Sequence, residues 1–177
     1  MSIVTARREA KKVFSQFFEV IKDIDLKKIA DAWGIQICPD SLENDTSGMI
    51  IVDPSATKIF VNTKELKERQ TFTIGHELGH FHLHKDIGVH IDNIATIDKT
   101  ITMARDYESQ SGKSSIEMEA NAFAAELLMP EKFLVNDVKE FPDVFERKTI
   151  QKLAKKYSVS GTAMKTRLES LKSWKLI

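Results

Sequence analysis

The sequence predicts an α+β fold in which a small antiparallel sheet packs against several helices. Short apolar runs separated by turn residues predict strands near the middle of the chain, and segments with helical spacing of apolar residues lie on both sides of them. The chain has 177 residues, 42% hydrophobic and 29% charged, without internal repeats or Gly/Ser-rich linkers. We therefore expect one domain over residues 1–177, comprising N-terminal helices (1–33), a core region (34–130) and a C-terminal helical segment (131–177).

The N-terminal region has apolar residues at helical spacing from about residue 6 to residue 32. The pattern is interrupted at residues 23–25, so it predicts two helices rather than one. Gly34 follows the second helix and is a suitable C-terminal stop.

Three short apolar runs predict the strands of the sheet. The first spans residues 35–38 and is expected to end at Pro39. The other two, residues 49–52 and 58–62, flank the turn-forming segment 53–57 and predict a hairpin.

A long helix is predicted after the hairpin, because Asn62 and Glu65 have the spacing of a capping box. We expect this helix to continue to about His84. The following segment, residues 85–115, has weaker patterns and predicts a partly irregular connection, with a possible strand at residues 96–103.

The last third of the chain is predicted to be helical. Residues 115–129 are rich in Ala, Leu, Glu and Met, and Pro130 should end that helix. Two further helices, 148–157 and 162–172, are expected on either side of a turn at 158–161.

Charge and composition exclude several classes of protein. Lys plus Arg and Asp plus Glu both number 26, so no overall charge favours nucleic acid, although residues 145–177 have a net charge of about +7. The single Cys38 cannot form an internal disulfide, and we expect a small buried residue in a reducing compartment. Neither an export signal nor a membrane span is visible, so a cytoplasmic location is expected.

The strongest chemical signal is the sequence His-Glu-Leu-Gly-His at residues 76–80. On a helix, His76 and His80 project from one face and can bind one metal ion. Zinc suits this pair, and it lowers the pKa of a bound water to about 7. Glu77 is placed to accept the proton of that water rather than to bind the metal. The pattern predicts a zinc-dependent hydrolase.

Two glycines lie in the same predicted helix. Gly75 and Gly79 each cost about 1 kcal/mol in helix propensity relative to Ala. We expect another element to pack closely against them.

A third metal ligand is expected from the helix at residues 115–129. Glu117 is the first candidate, and Asn121, four residues later on the same face, could orient a ligand. Glu119 points about 200° away around the helix axis and is the second candidate.

These blocks resemble a known family, the ImmA/IrrE-type metallopeptidases, which are bacterial and phage zinc peptidases of the gluzincin type. The first block contains Arg69, Phe72 and Thr73, followed by the His76–His80 motif. The second runs from Glu117 through Ala120, Asn121 and Phe123 to Met129 and Pro130. The resemblance extends from about Met49 to the C-terminal helices.

The resemblance implies a zincin-like catalytic core in which His76, His80 and Glu117 bind zinc and Glu77 is the general base. It also implies a protein substrate, a helix-turn-helix repressor of the kind often encoded beside such peptidases. An antitoxin-like partner is the other substrate that we expect. Manganese or iron would also suit a ligand set of two histidines and one glutamate.

Several residues have no assigned role. His82, His84 and His90 are expected to be solvent-facing or to lie at the helix end, although one of them, or Tyr107, could stabilise the oxyanion of the reaction. The strand at residues 58–62 is a candidate edge for binding an extended substrate, or else an ordinary structural strand.

The C-terminal segment has the layout of a helix-turn-helix. Its expected core residues are Leu153, Ala154, Val159, Met164 and Leu168, with Lys165 and Arg167 on the second helix. We expect these helices to belong to the peptidase body. The alternatives are a DNA-associated regulator with a structural metal site and a latent peptidase that acts as a protein-binding module.

Overall fold

The computed structural model describes residues 2–43, 46–84, 89–93 and 112–177. The helices are α1 (Ile3–Phe17), α2 (Leu26–Ala32), α3 (Lys67–Leu83), α4 (Gly112–Leu128), α5 (Glu131–Asp137), α6 (Arg147–Tyr157) and α7 (Gly161–Ser173). The strands are β1 (Ile35–Asp40), β2 (Thr46–Asp53), β3 (Ala56–Asn62) and β4 (Val89–Asn93), and short 3-10 turns occupy Ile21–Asp23 and Val138–Glu140. The predicted α+β fold is confirmed.

The two N-terminal helices form as predicted, although α1 ends at Phe17, earlier than expected. Side chains cap both helices, because the hydroxyl of Ser2 accepts from the Thr5 N–H and the carboxylate of Asp25 accepts from the Lys27 N–H. Gly34 has a φ of 70°, a left-handed conformation that glycine adopts without strain. It stops α2 as the sequence predicted.

The sheet has the strand order β1-β3-β2-β4. β2 pairs antiparallel with β3, in the predicted hairpin, and with β4. β1 pairs parallel with β3, which the prediction of an antiparallel sheet did not include. The parallel pair arises because β3, the returning strand of the hairpin, lies between β1 and β2.

The strand order corrects two expectations. Pro39 does not end β1, which continues to Asp40, because β1 is an edge strand where a missing N–H group is tolerated. Residues 58–62 do not form an edge, since β3 has β1 on one side and β2 on the other. Cys38, on β1, is half-buried rather than fully buried.

Helix α3 does not begin with the predicted capping box. Leu66 is the residue before the helix and provides no side-chain cap. The Asn62 amide instead donates to the main-chain oxygen of Thr46 at 2.8 Å and accepts from the Lys64 N–H at 3.0 Å. Asn62 therefore joins the end of β3 to the start of β2.

Part of the predicted connection at residues 85–115 is regular, because it contains β4 and the start of α4. The strand suggested at residues 96–103 lies outside the described residues. Helix α5 was not predicted, because seven residues are too few to give a clear periodic signal.

Helices α3 and α4 pack closely at the two glycines of α3, as predicted. A Cβ atom added at Gly79 would lie 3.1 Å from the main-chain oxygen of Ala120 and 3.2 Å from its Cα. One added at Gly75 would lie 3.5 Å from the Cβ of Ala124, an ordinary contact distance. A side chain at Gly79 would therefore require the backbone of α4 to move by a few tenths of an ångström.

The C-terminal helices α6 and α7 pack into the body of the protein. Five predicted core residues are buried: Leu153, Ala154, Val159, Met164 and Leu168. Arg167 is only 3% exposed, and its guanidinium donates to Glu126 of α4 at 2.6 Å and to the main-chain oxygen of Met129 at 3.2 Å. Burial lowers the pKa of Arg167, and Glu126 opposes that shift. Arg167 is therefore a structural residue, whereas Lys165 is exposed.

Among the helices of the described ranges, none combines the length and the apolar character that a bilayer-spanning segment requires.

Gly75→Ala and Gly79→Ala are a matched pair, because each gains about 1 kcal/mol of helix propensity on the same helix. We expect Gly75→Ala to be at least as stable as the wild type. Gly79→Ala should lose roughly 1–3 kcal/mol, since the added methyl group meets main-chain atoms that move only with α4. Urea unfolding followed by circular dichroism measures both, and equal stabilities would contradict the close contact at Gly79.

Candidate metal centre

Helices α3 and α4 bring together the three sequence-predicted ligands His76, His80 and Glu117. The Nε2 atoms of the two histidines are 2.9 Å apart. The Glu117 carboxylate lies 3.3 Å from Nε2 of His76 and 3.6 Å from Nε2 of His80. These donor atoms all lie within 4.8 Å of one another, so the three side chains could hold one metal ion.

The distances between the candidate ligand atoms suit a tetrahedral ion such as zinc. With zinc–ligand distances of about 2.0–2.1 Å, two ligand atoms at a tetrahedral angle are about 3.3 Å apart. The observed distances of 2.9, 3.3 and 3.6 Å lie around that value. Two imidazole nitrogens this close also need a proton or a cation between them, because their lone pairs repel each other.

Asn121 orients His76, as the sequence suggested. Its side-chain oxygen lies 2.8 Å from Nδ1 of His76. Because an amide oxygen only accepts hydrogen bonds, Nδ1 must carry the proton and Nε2 keeps its lone pair toward the cluster. Metal-binding histidines typically make such a hydrogen bond through the ring nitrogen that does not bind the metal.

The centre lies in the protein interior. His76 and His80 are fully buried, and Glu117 is 6% exposed. Buried ionisable groups need a partner or a metal, and an ion would balance the Glu117 carboxylate.

Glu77 follows the candidate ligand His76 in the sequence and faces β2. It is fully buried. A Cβ atom added at Gly48 of β2 would lie 3.8 Å from the Glu77 carboxylate, so strand and carboxylate are close neighbours. The carboxylate thus lies in a buried space between α3 and the sheet.

The second candidate ligand, Glu119, is not part of the cluster. It is 2% exposed, and its carboxylate lies 3.5 Å from Nε2 of His84. Burial lowers the pKa of His84, and the neighbouring Glu119 opposes that shift. Glu119 and His84 thus form a separate pair.

The other histidines have varied surroundings. His82 and His84 lie at the end of α3, as predicted, but neither is fully exposed. The ring of His82 stacks on Trp33 with centroids 5.1 Å apart, and its Nε2 lies 3.7 Å from Glu9. The side chain of His90 and the whole of Tyr107 lie outside the described residues.

Sequence reasoning missed Gly48 and gave Thr73 no role of its own. The available signal was a glycine next to the apolar run of β2, which often marks a close approach of another element. A Cβ atom there would overlap the Thr73 methyl group and lie 2.9 Å from the main-chain oxygen of Phe60. Gly48 therefore lets β2 approach α3 beside Glu77.

Comparison with known proteins is consistent with this centre. A family model described as the IrrE N-terminal-like domain, of the M78 peptidases, matches residues 30–169. The chain belongs to the M78 peptidase family. The matched residues include every member of the cluster and all four strands.

Two relatives extend the comparison. The metallopeptidase ImmA of Bacillus subtilis (strain 168) is 27% identical over 107 residues, which are 60% of this chain and 55% of ImmA. A Mycobacterium tuberculosis transcriptional regulator superposes with a TM-score of 0.64 at 18% identity, covering 93% of this chain and 46% of that protein. The chain therefore matches about half the length of each relative, and the second likeness concerns the fold alone.

Metal content tests the choice between the two glutamates on α4. We expect about one divalent ion per chain in the wild type and in Glu119→Gln, and a large loss in Glu117→Gln, because only Glu117 faces both histidines. Inductively coupled plasma mass spectrometry on chelator-free protein measures this. Equal metal content in the two variants, or loss only in Glu119→Gln, would contradict the assignment of Glu117.

Proposed function

We propose that this member of the M78 family is a zinc-dependent endopeptidase in which His76, His80 and Glu117 bind the metal and Glu77 is the general base. The main supporting observation is that the donor atoms of two imidazoles and one carboxylate lie within 4.8 Å of one another. A second buried carboxylate, Glu77, belongs to the residue next to His76 in the sequence. When bound, zinc supplies a Lewis acid and lowers the pKa of a water molecule to about 7.

The protein side chains have separate tasks in this proposal. Asn121 fixes the ring of His76, so that the Nε2 lone pair points into the centre. The Glu77 carboxylate accepts a proton from the attacking water and later delivers it to the nitrogen of the departing amine. Burial of these groups excludes competing solvent and strengthens their electrostatic interactions.

Zinc is proposed over manganese or iron because the ligands include two imidazole nitrogens at separations that suit a tetrahedral ion. The proposed substrate is a protein, in particular a helix-turn-helix repressor, as the family resemblance implies.

The alternative of a DNA-associated regulator receives less support. Its second helix would use Lys165 and Arg167, but the Arg167 side chain is buried and bonded to Glu126 and Met129. The latent-peptidase alternative differs from our proposal only in the absence of cleavage, so a cleavage assay separates the two.

Cleavage by matched variants tests the proposal. The zinc-loaded protein is incubated with a purified helix-turn-helix repressor from the same organism, and fragments are identified by mass spectrometry. We expect defined fragments with the wild type and none with Glu77→Gln, which removes the base but leaves the metal ligands intact. Glu68→Gln, an exposed carboxylate change on the same helix, should retain cleavage.

Two results would count against this function. Fragments from Glu77→Gln at the wild-type rate would remove Glu77 from the reaction. Tight binding of the repressor by zinc-loaded wild type without any cleavage would favour the protein-binding module.

A further inference from the structure

His84 directly follows the last residue of α3 and has no role in the proposed function. Its ring lies next to that of His80, with the two centroids 5.7 Å apart. The side chain is only 14% exposed. Burial removes an imidazole from water, so its polar atoms need partners within the protein.

The neighbours of the His84 ring lie on the first turns of α4. Its Nε2 is 3.5 Å from one oxygen of the Glu119 carboxylate, a distance typical of an ion pair, and the Ser115 hydroxyl is 3.5 Å from the other oxygen. Burial lowers the pKa of His84, whereas the Glu119 charge and a hydrogen bond with the Ile116 main chain oppose that shift. The ring therefore interacts with residues on both sides of Glu117 in the sequence.

Glu117 lies between two contacts that α4 makes with α3. Gly79 of α3 lies against Ala120, three residues after Glu117. His84, five residues later on α3, interacts with Ile116, the residue just before Glu117. The segment of α4 that carries the third candidate ligand is thus held from both ends.

The start of α4 needs such a contact more than its middle does. The first four N–H groups of a helix have no partner within the helix, and terminal turns open at little cost in free energy unless other contacts hold them. Glu117 is the sixth residue of α4. Opening of the first turns would therefore move its carboxylate away from the histidines.

We propose that His84 is a positioning residue for Glu117, which holds the first turns of α4 against the end of α3 and keeps the third metal ligand in place. This inference rests on the proposed role of Glu117 as a ligand. His84 does not bind the ion in this arrangement, because its Nε2 faces Glu119. Metal binding then costs less conformational entropy, since the carboxylate is already placed.

The main test measures zinc affinity by competition with a chromophoric chelator. The variants are His84→Ala, His84→Gln and the control Tyr157→Phe, which removes a buried hydrogen bond to Asp137 on the opposite side of the sequence motif, in α6. We expect His84→Ala to bind zinc roughly tenfold more weakly, the size of effect seen when a contact that supports a metal ligand is lost. His84→Gln keeps a donor and should stay within about threefold of the wild type, and Tyr157→Phe should match it.

A second measurement does not depend on activity or on affinity. Amide hydrogen exchange is compared in full-length wild type and His84→Ala at saturating zinc. We expect faster exchange in the variant for the amides of residues 116–120, whose hydrogen bonds belong to the first turns of α4. The amides of residues 124–128 should exchange as in the wild type, because their surroundings are unchanged.

Several results would overturn the proposal. They are wild-type zinc affinity in His84→Ala, equal losses of affinity in His84→Ala and Tyr157→Phe, and faster exchange along all of α4, which would indicate a general loss of stability. A lower kcat in His84→Ala with unchanged zinc affinity would also overturn it, and would indicate direct contact with the substrate. If His84→Ala does not fold, His84→Leu and His84→Gln are similar in size, differ in their ability to donate and decide the same question.

Failure of this inference is separable from failure of the proposed function. In the first case Glu117→Gln still loses zinc, while His84→Ala keeps the wild-type affinity. In the second case Glu117→Gln itself retains zinc.

Discussion

At Gly79, α3 comes so close to α4 that an added methyl group would lie 3.1 Å from the main-chain oxygen of Ala120. Glu117 precedes Ala120 by less than one turn of α4, so this contact determines how near its carboxylate lies to the histidines of α3. Each glycine in α3 lowers helix propensity by about 1 kcal/mol. The two helices thus meet at a residue that disfavours helix formation, and their contact brings together the three donor groups of the candidate metal centre.

The far end of α4 is held by a buried ionic network. The Glu126 carboxylate accepts hydrogen bonds from Arg7 of α1 at 3.1 Å and from Arg167 of α7 at 2.6 Å. Glu126 and Glu117 are nine residues apart, or about 13 Å along the helix. Removing one member of such a buried network leaves uncompensated charge, which is strongly destabilising. The terminal helices therefore help to fix the helix that supplies Glu117.

The sequence was sufficient for features set by local periodicity. Spacing of four residues placed His76 with His80 and Glu117 with Asn121, and the cost of Gly79 in a helix predicted that another element packs closely there. Features set by pairing between distant segments could not be predicted. Nothing local to residues 58–62 shows that β3 is a central strand, and nothing near Arg167 shows that its partner is Glu126, 41 residues earlier. The Thr73 contact with Gly48 likewise depends on how β2 packs on α3.

The most direct test of the account is a crystal structure of the zinc-loaded protein, with anomalous diffraction recorded on both sides of the zinc absorption edge. We predict one strong anomalous peak about 2.0–2.1 Å from Nε2 of His76, Nε2 of His80 and a carboxylate oxygen of Glu117, with Glu77 not bound to the ion. A peak at another site, or a centre in which Glu119 replaces Glu117, would contradict it.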